Sequence, residues 1–165
     1  MTATRRVVLM RHAKSSWKTG ASDHERPLNG RGRRDAPRIG AELAERGWVP
    51  DHVSSSDSER TRETFARMRD ALGFEGDPDF RHDLYHAGIE AVRGVVGALP
   101  DSTRVVLVLG HNPGWEEALA WLTGRDEEMK TGSCALLRVD ADTWSDAMDR
   151  AAAWQLEALI HPREI

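Results

Sequence analysis

With 165 residues, a formal charge of −4 from 23 basic and 27 acidic side chains, and one cysteine, the chain excludes several classes of protein before any motif is read. Acids and bases alternate along most of it, so the basic footprint of a nucleic-acid binder is missing and an anion site would have to be local. Cys134 lacks a partner for an intrachain disulfide or a thiolate cluster, no apolar run approaches the roughly 20 residues of a membrane span, and no N-terminal stretch resembles a signal peptide. The expectation is a single domain over residues 1–165, cytoplasmic, with neither membrane nor nucleic acid among its partners.

Val7 to Met10 is a short, continuous apolar run, as expected of a strand buried on both faces of a parallel sheet, and it stops abruptly at Arg11-His12. Gly32 to Trp48 then places Ala36, Ile39, Leu43 and Ala44 at helical spacing, with Gly47 as a stop. The "DHVSSS" run of residues 51–56 reads as a strand, followed by Asp57-Ser58-Glu59-Arg60. Glu59 to Leu72 is a helix with Phe65, Met68 and Leu72 on one face, closed by Gly73. Ile89 to Leu99 is another helix. Val105 to Leu109 is a second central strand, leading into Gly110-His111-Asn112-Pro113-Gly114, then a helix over Trp115 to Leu122 and strands over Cys134 to Val139 and Trp154 to Ile160. The order strand, helix, strand, helix, helix, strand, helix, strand, strand predicts an α/β three-layer sandwich with a mostly parallel central sheet.

Open α/β sheets bind ligands beyond the carboxyl ends of their strands, so the residues after each apolar run are the ones to inspect. Two arginines and two histidines stand there, Arg11, His12, Arg60 and His111. A lone Arg-His after a strand is most often an ion-pair donor beside a satisfied histidine, and a lone Gly-His-Asn-Pro is most often a capped turn. Their occurrence together at three strand ends is harder to treat as accident.

"LMRHAKSSW", "SSDSERTRET" and "LVLGHNPG" together resemble the histidine phosphatase superfamily, with its phosphoglycerate mutase-like fold. The small size, "ERPLNGRG" from Glu25 to Gly32 and "DLYHA" from Asp83 to Ala87 make the chain most similar to the SixA-type phosphohistidine phosphatases. The resemblance implies His12 as nucleophile, Arg11 and Arg60 as phosphate-binding groups, His111 as the second active-site histidine and Ser15 as a phosphate contact. Ala13 stands where many members carry glycine. Lys14 and Asn112 join the expected substrate-binding residues, and Trp17, Lys18 and Arg26 are candidates for the pocket entrance. The arginine-rich "GRGRRDAPR" reads as a solvated helix start, and Trp48, Trp115, Trp121, Trp144 and Trp154 as packing residues.

The chemistry agrees with those roles. A nucleophilic imidazole must be neutral, and nearby guanidinium groups disfavour the imidazolium while clamping phosphoryl oxygens bidentately. Neither metal nor other cofactor is needed, and no His-x-x-x-His spacing suggests one. In the family that the chain resembles, many members that cleave phosphate esters have a glutamate in a Leu-x-Glu arrangement where this chain has Leu84-Tyr85-His86, leaving His86, Asp83 and Glu90 as candidate proton donors. Imidazole is a far better leaving group than an alkoxide, so the expected substrate is a phosphorylated compound with an activated bond, such as a histidine-phosphorylated protein. The alternatives are a small-molecule phosphomonoesterase or mutase of the same fold, or a phosphate-binding module without turnover.

Overall fold

Residues 2–165 are described by the structure, a computed structural model. Six strands, β1 (Ala3–Arg11), β2 (His52–Ser56), β3 (Asp79–Arg81), β4 (Val105–Gly110), β5 (Cys134–Ala141) and β6 (Gln155–Ile160), form one sheet in the order β3-β2-β4-β1-β5-β6. Five helices, α1 (Gly30–Glu45), α2 (Glu59–Leu72), α3 (Ile89–Gly97), α4 (Gly114–Thr123) and α5 (Trp144–Met148), cover its two faces. β3, β2, β4 and β1 run parallel, and β5 and β6 add an antiparallel pair at the far side. The α/β sandwich with a mostly parallel sheet is therefore present, and β1 and β4 lie at its centre.

The reason β1 and β4 read as unbroken apolar runs is visible in the two cores. Val8 and Met10 of β1, with Leu107 and Leu109 of β4, pack under α1 and α2 through Ile39, Leu43, Phe65 and Met68. Val7 and Leu9, with Val106 and Val108, pack under α3, α4 and α5 through Val92, Val96, Trp115, Leu119 and Trp144. A strand covered on both faces needs apolar side chains at every position, and each fully buried Val or Leu contributes about 1.5–3 kcal/mol. Cys134 is a buried free thiol in the core under α1 and α2.

Several boundaries move. α1 starts at Gly30 rather than Gly32, because the Asn29 side chain accepts from the Gly32 N–H (2.9 Å) and caps the helix earlier. It ends at Glu45, short of Trp48, whose ring instead lies under the Arg6 guanidinium. Trp154 precedes β6 and donates its indole N–H to the Ala147 carbonyl. Two elements escaped the sequence reading: β3, three half-buried edge residues, and α5, five residues capped by the Thr143 hydroxyl on the Asp146 N–H (3.0 Å). Neither is long enough to display a period. Among the described residues no helix is long and apolar enough to cross a membrane.

Candidate active site

Parallel pairing of β1 with β4 sets Arg11 opposite Gly110, so the two strands end side by side and deliver His12 and His111 to one place. The His12 N–H donates to the Gly110 carbonyl (3.0 Å), and the two imidazole rings stand 5.3 Å apart. β2 ends beside them at Ser56. The Ser58 side chain then caps α2, whose first turn carries Arg60, only 2 % exposed. α2 also fixes the chain beyond β1: Thr64 Oγ1 donates to the Arg60 carbonyl (2.7 Å) and accepts from the Ala13 N–H (3.1 Å). From the other side, α1 packs so closely that a Cβ on Gly32 would lie 2.1 Å from the Lys14 carbonyl oxygen. That approach is why a glycine opens the second residue pair of the helix.

Hydrogen bonding assigns the tautomer of His12 and gives His111 a hydroxyl partner. A carbonyl oxygen can only accept, so His12 Nδ1 carries the hydrogen donated to the Ala13 carbonyl (2.7 Å), and Nε2 keeps its lone pair. Ser56 Oγ accepts from the Ser58 N–H (3.3 Å) and stands 2.8 Å from His111 Nε2. The Ser56 hydroxyl can donate its hydrogen to Nε2, which puts an N–H at His111 Nδ1, an atom buried without a protein partner. Burial drives the His12 pKa down to about 3, with the Arg60, Arg11 and Arg26 guanidinium groups adding and the Ala13 carbonyl opposing. Burial takes His111 down to about 2, with His12 and Arg60 adding to the effect. Both rings are neutral at physiological pH.

The arginines offer what these rings lack. Arg11 Nη1 donates to the Met129 carbonyl (3.0 Å), while its Nε is buried without a partner. Arg60 donates from Nη1 to the Asp23 carbonyl (2.6 Å) and from Nη2 to its carboxylate (3.1 Å), and its Nε is likewise unpartnered. Asp23 is the residue that sequence reasoning missed. Its carboxylate also takes hydrogen bonds from the Tyr85 hydroxyl, His86 Nε2 (2.7 Å) and Arg26 Nε (3.2 Å). Against the cost of burial, Tyr85, His86 and Arg60 hold it well below the usual carboxylate range. Ser56 was missed as well. Neither carries a periodic or motif signal, and the only hint of Asp23 is its place two residues before the "ERPLNGRG" stretch.

These groups surround a pocket of about 260 Å³. His12, Arg11, Arg60, His111, Ser15, Lys14 and Asn112 all line it, with Asp23, Arg26, His86, Trp17 and Thr131 completing the wall. Ser15 Oγ accepts from Arg26 Nη1 (2.8 Å), which leaves its own hydrogen to donate. Arg26 in turn sits 3.5 Å from the centre of the Trp17 ring, which is 75 % exposed at the mouth. Lys14 has no acidic partner among the described residues. Asn112 is more a brace than a ligand: Nδ2 donates to the Met129 carbonyl (2.8 Å) and Oδ1 accepts from the Glu116 N–H (3.3 Å). Lys18 lines an adjoining hollow with Trp17 and Asn29 rather than the pocket. Of the three candidate proton donors only His86 reaches it. Asp83 is tied to Arg81 (2.8 Å), and Glu90 is 82 % exposed and paired with Arg93 (3.3 Å).

The arrangement can seat a tetrahedral anion between two guanidinium groups, with a neutral imidazole nitrogen facing it and N–H and O–H donors around it. Comparison with known proteins agrees. The model of the histidine phosphatase superfamily, branch 1, matches residues 7–84. An uncharacterised chloroplastic protein of Arabidopsis thaliana is 35 % identical over 172 residues, covering 96 % of this chain and 78 % of its own. Among solved structures, proteins assigned as the phosphohistidine phosphatase SixA superpose from Nakamurella multipartitia (TM-score 0.81, 30 % identity, 97 % of each chain). The counterpart from Agrobacterium tumefaciens matches with a TM-score of 0.80 and 28 % identity, over 96 % of this chain and 98 % of the other.

Proposed function

This chain belongs to the histidine phosphatase superfamily and is a histidine-nucleophile phosphatase, and we propose that its substrate is phosphohistidine carried by a protein. His12 is the nucleophile. Its Nε2 lone pair attacks phosphorus while Arg11, Arg60, Ser15, Lys14 and the His111 Nδ1–H hold the phosphoryl oxygens. A proton from His86 goes to the far nitrogen of the substrate's ring, the bond from phosphorus to the near nitrogen breaks, and that nitrogen keeps the electron pair so that neutral imidazole leaves. Water then attacks phosphorus on the phosphorylated His12, the P–Nε2 bond breaks, the proton of the water returns to His86, and inorganic phosphate leaves. Phosphoryl transfer of this kind is mainly positioning and electrostatics, which is what two fixed guanidinium groups supply.

One observation supports this substrate above the others. The pocket's only lining carboxylate, Asp23, is held ionised by Tyr85, His86 and Arg60, so no carboxylic acid is available to protonate an alkoxide. An imidazole needs less help, since its conjugate acid titrates near pH 6.5. The relatives assigned as SixA phosphohistidine phosphatases support the same reading.

A series of substrates tests it: a phosphohistidine protein, phosphoramidate, aryl phosphates of graded phenol acidity and a sugar phosphate, all at saturation. Rates should fall steeply with leaving-group basicity. A sugar phosphate turned over as fast as phosphoramidate overturns the phosphohistidine assignment. Alkaline quench during turnover should trap acid-labile, base-stable phosphate on His12, and label on a serine would overturn the nucleophile.

A further inference from the structure

Beside the pocket, and outside the machinery above, three ring and carboxylate groups from distant segments converge. His24 lies in a short 3-10 turn (Asp23–Glu25), Asp57 in the link from β2 to α2, and His82 in a second turn (His82–Leu84) after β3. His24 Nε2 stands 2.8 Å from Asp57 Oδ1, and His82 Nδ1 stands 3.2 Å from Oδ1 and 3.1 Å from Oδ2 of the same carboxylate. The three ligand atoms lie within 4.8 Å of one another. Donors bound at about 2.0–2.1 Å around a tetrahedral zinc ion are separated by roughly 3.3 Å, so the two contacts of the Asp57 carboxylate with the imidazoles are slightly shorter than that geometry requires. The exposed His82 ring can open the set by a small rotation.

A second feature separates this cluster from a chance meeting of a carboxylate and two imidazoles. His24 Nδ1 stands 3.0 Å from Glu25 Oε1, so its second nitrogen is held by a carboxylate. Metal-binding histidines are characteristically held in this way, because the outer partner fixes the ring and raises the basicity of the ligating nitrogen. The Tyr85 ring packs edge-on against His24, 4.8 Å between centroids, and steadies it from the protein side. Two imidazoles and one carboxylate suit zinc, cobalt or nickel rather than calcium or magnesium, which prefer all-oxygen sets.

We propose that His24, Asp57 and His82 form a site for a divalent transition cation of the zinc class, with Glu25 as outer carboxylate and solvent completing the coordination. The ion would clip three segments together on the rim of the pocket. One of them carries Asp23, the partner of Arg60, so occupancy stiffens the wall of the pocket without entering it. The phosphatase chemistry needs no metal and is untouched by this site.

Titration of the full chain with Zn²⁺, and with Co²⁺ followed by its visible absorption, tests the proposal. One ion should bind per chain, with the intense bands of a four-coordinate Co²⁺ site. His82→Ala, at a side chain 75 % exposed, should keep the fold and the metal-free turnover and lose at least about tenfold in affinity. His24→Ala should do the same, and Glu25→Gln should weaken binding by about tenfold through the outer contact. Amide exchange of residues 23–25 should slow on adding Zn²⁺ to the wild type and not to His82→Ala. No saturable binding overturns the proposal. So does binding that survives both ligand substitutions and disappears in His111→Asn, which places the ion among the pocket histidines instead.

Discussion

Replacing His12 by asparagine should remove a measurable part of the pH dependence of folding. In the folded protein the His12 pKa sits at about 3, against an ordinary value of 6.5. Between those limits the unfolded chain binds a proton that the folded chain does not, so stability rises with pH across this window and is lost as pH falls below 6.5. Each full pH unit below that point costs about 1.4 kcal/mol for one such group, and allowing for partial titration near 6.5 the loss between pH 7.5 and 5.5 is also about 1.4 kcal/mol. His111, depressed by burial, acts in the same direction, while His24, raised chiefly by its bond to Asp57, acts in the opposite one. Both cancel to first order when the variant is subtracted from the wild type. The lost hydrogen bond to the Ala13 carbonyl shifts that difference by a constant. Urea unfolding of both proteins at several pH values, in buffers free of phosphate, measures it. The stability advantage of wild type over His12→Asn should shrink by about 1.4 kcal/mol from pH 7.5 to 5.5. A difference that stays flat across this range would refute the reasoning, because His12 would then titrate in the fold as it does in water.

Two substitutions probe the groups around it. Arg60→Lys keeps the charge and loses the planar fork that reaches Asp23 and the anion together, so kcat/KM should fall at least about tenfold, or about 1.4 kcal/mol of transition-state binding, and unchanged steady-state kinetics would put Arg60 outside the chemistry. Ser56→Ala removes the hydroxyl bonded to His111 Nε2, leaving a buried ring nitrogen unpaired at a cost of about 1–3 kcal/mol, and the affinity for phosphate or its oxyanion analogues should drop while that of the His111→Asn variant should not respond to the same change.

Most of the scaffold could be read from the chain alone, for a definite reason. β1 and β4 are covered on both faces, so burial writes itself into consecutive residues; α1 and α2 are covered on one, so it writes a helical period. The rule that ligands sit beyond strand ends then turned Arg11, His12, Arg60 and His111 into a site, because β2, β4 and β1 are adjacent parallel strands whose carboxyl ends share one edge of the sheet. β3 and α5 stayed hidden because three and five residues cannot show a period. The supporting contacts were hidden for a different reason. Asp23 meets His86 across 63 residues of chain and His111 meets Ser56 across 55, and nothing local in "SDHE" or "VSSS" records a partner that only sheet register and helix packing bring near. The same holds for His24, Asp57 and His82. The identity of the reacting groups lies in the sequence, whereas the tautomers, the charge state of Asp23 and the meeting of those three ligands are decided by tertiary structure, because each depends on distances between segments that have no local relation.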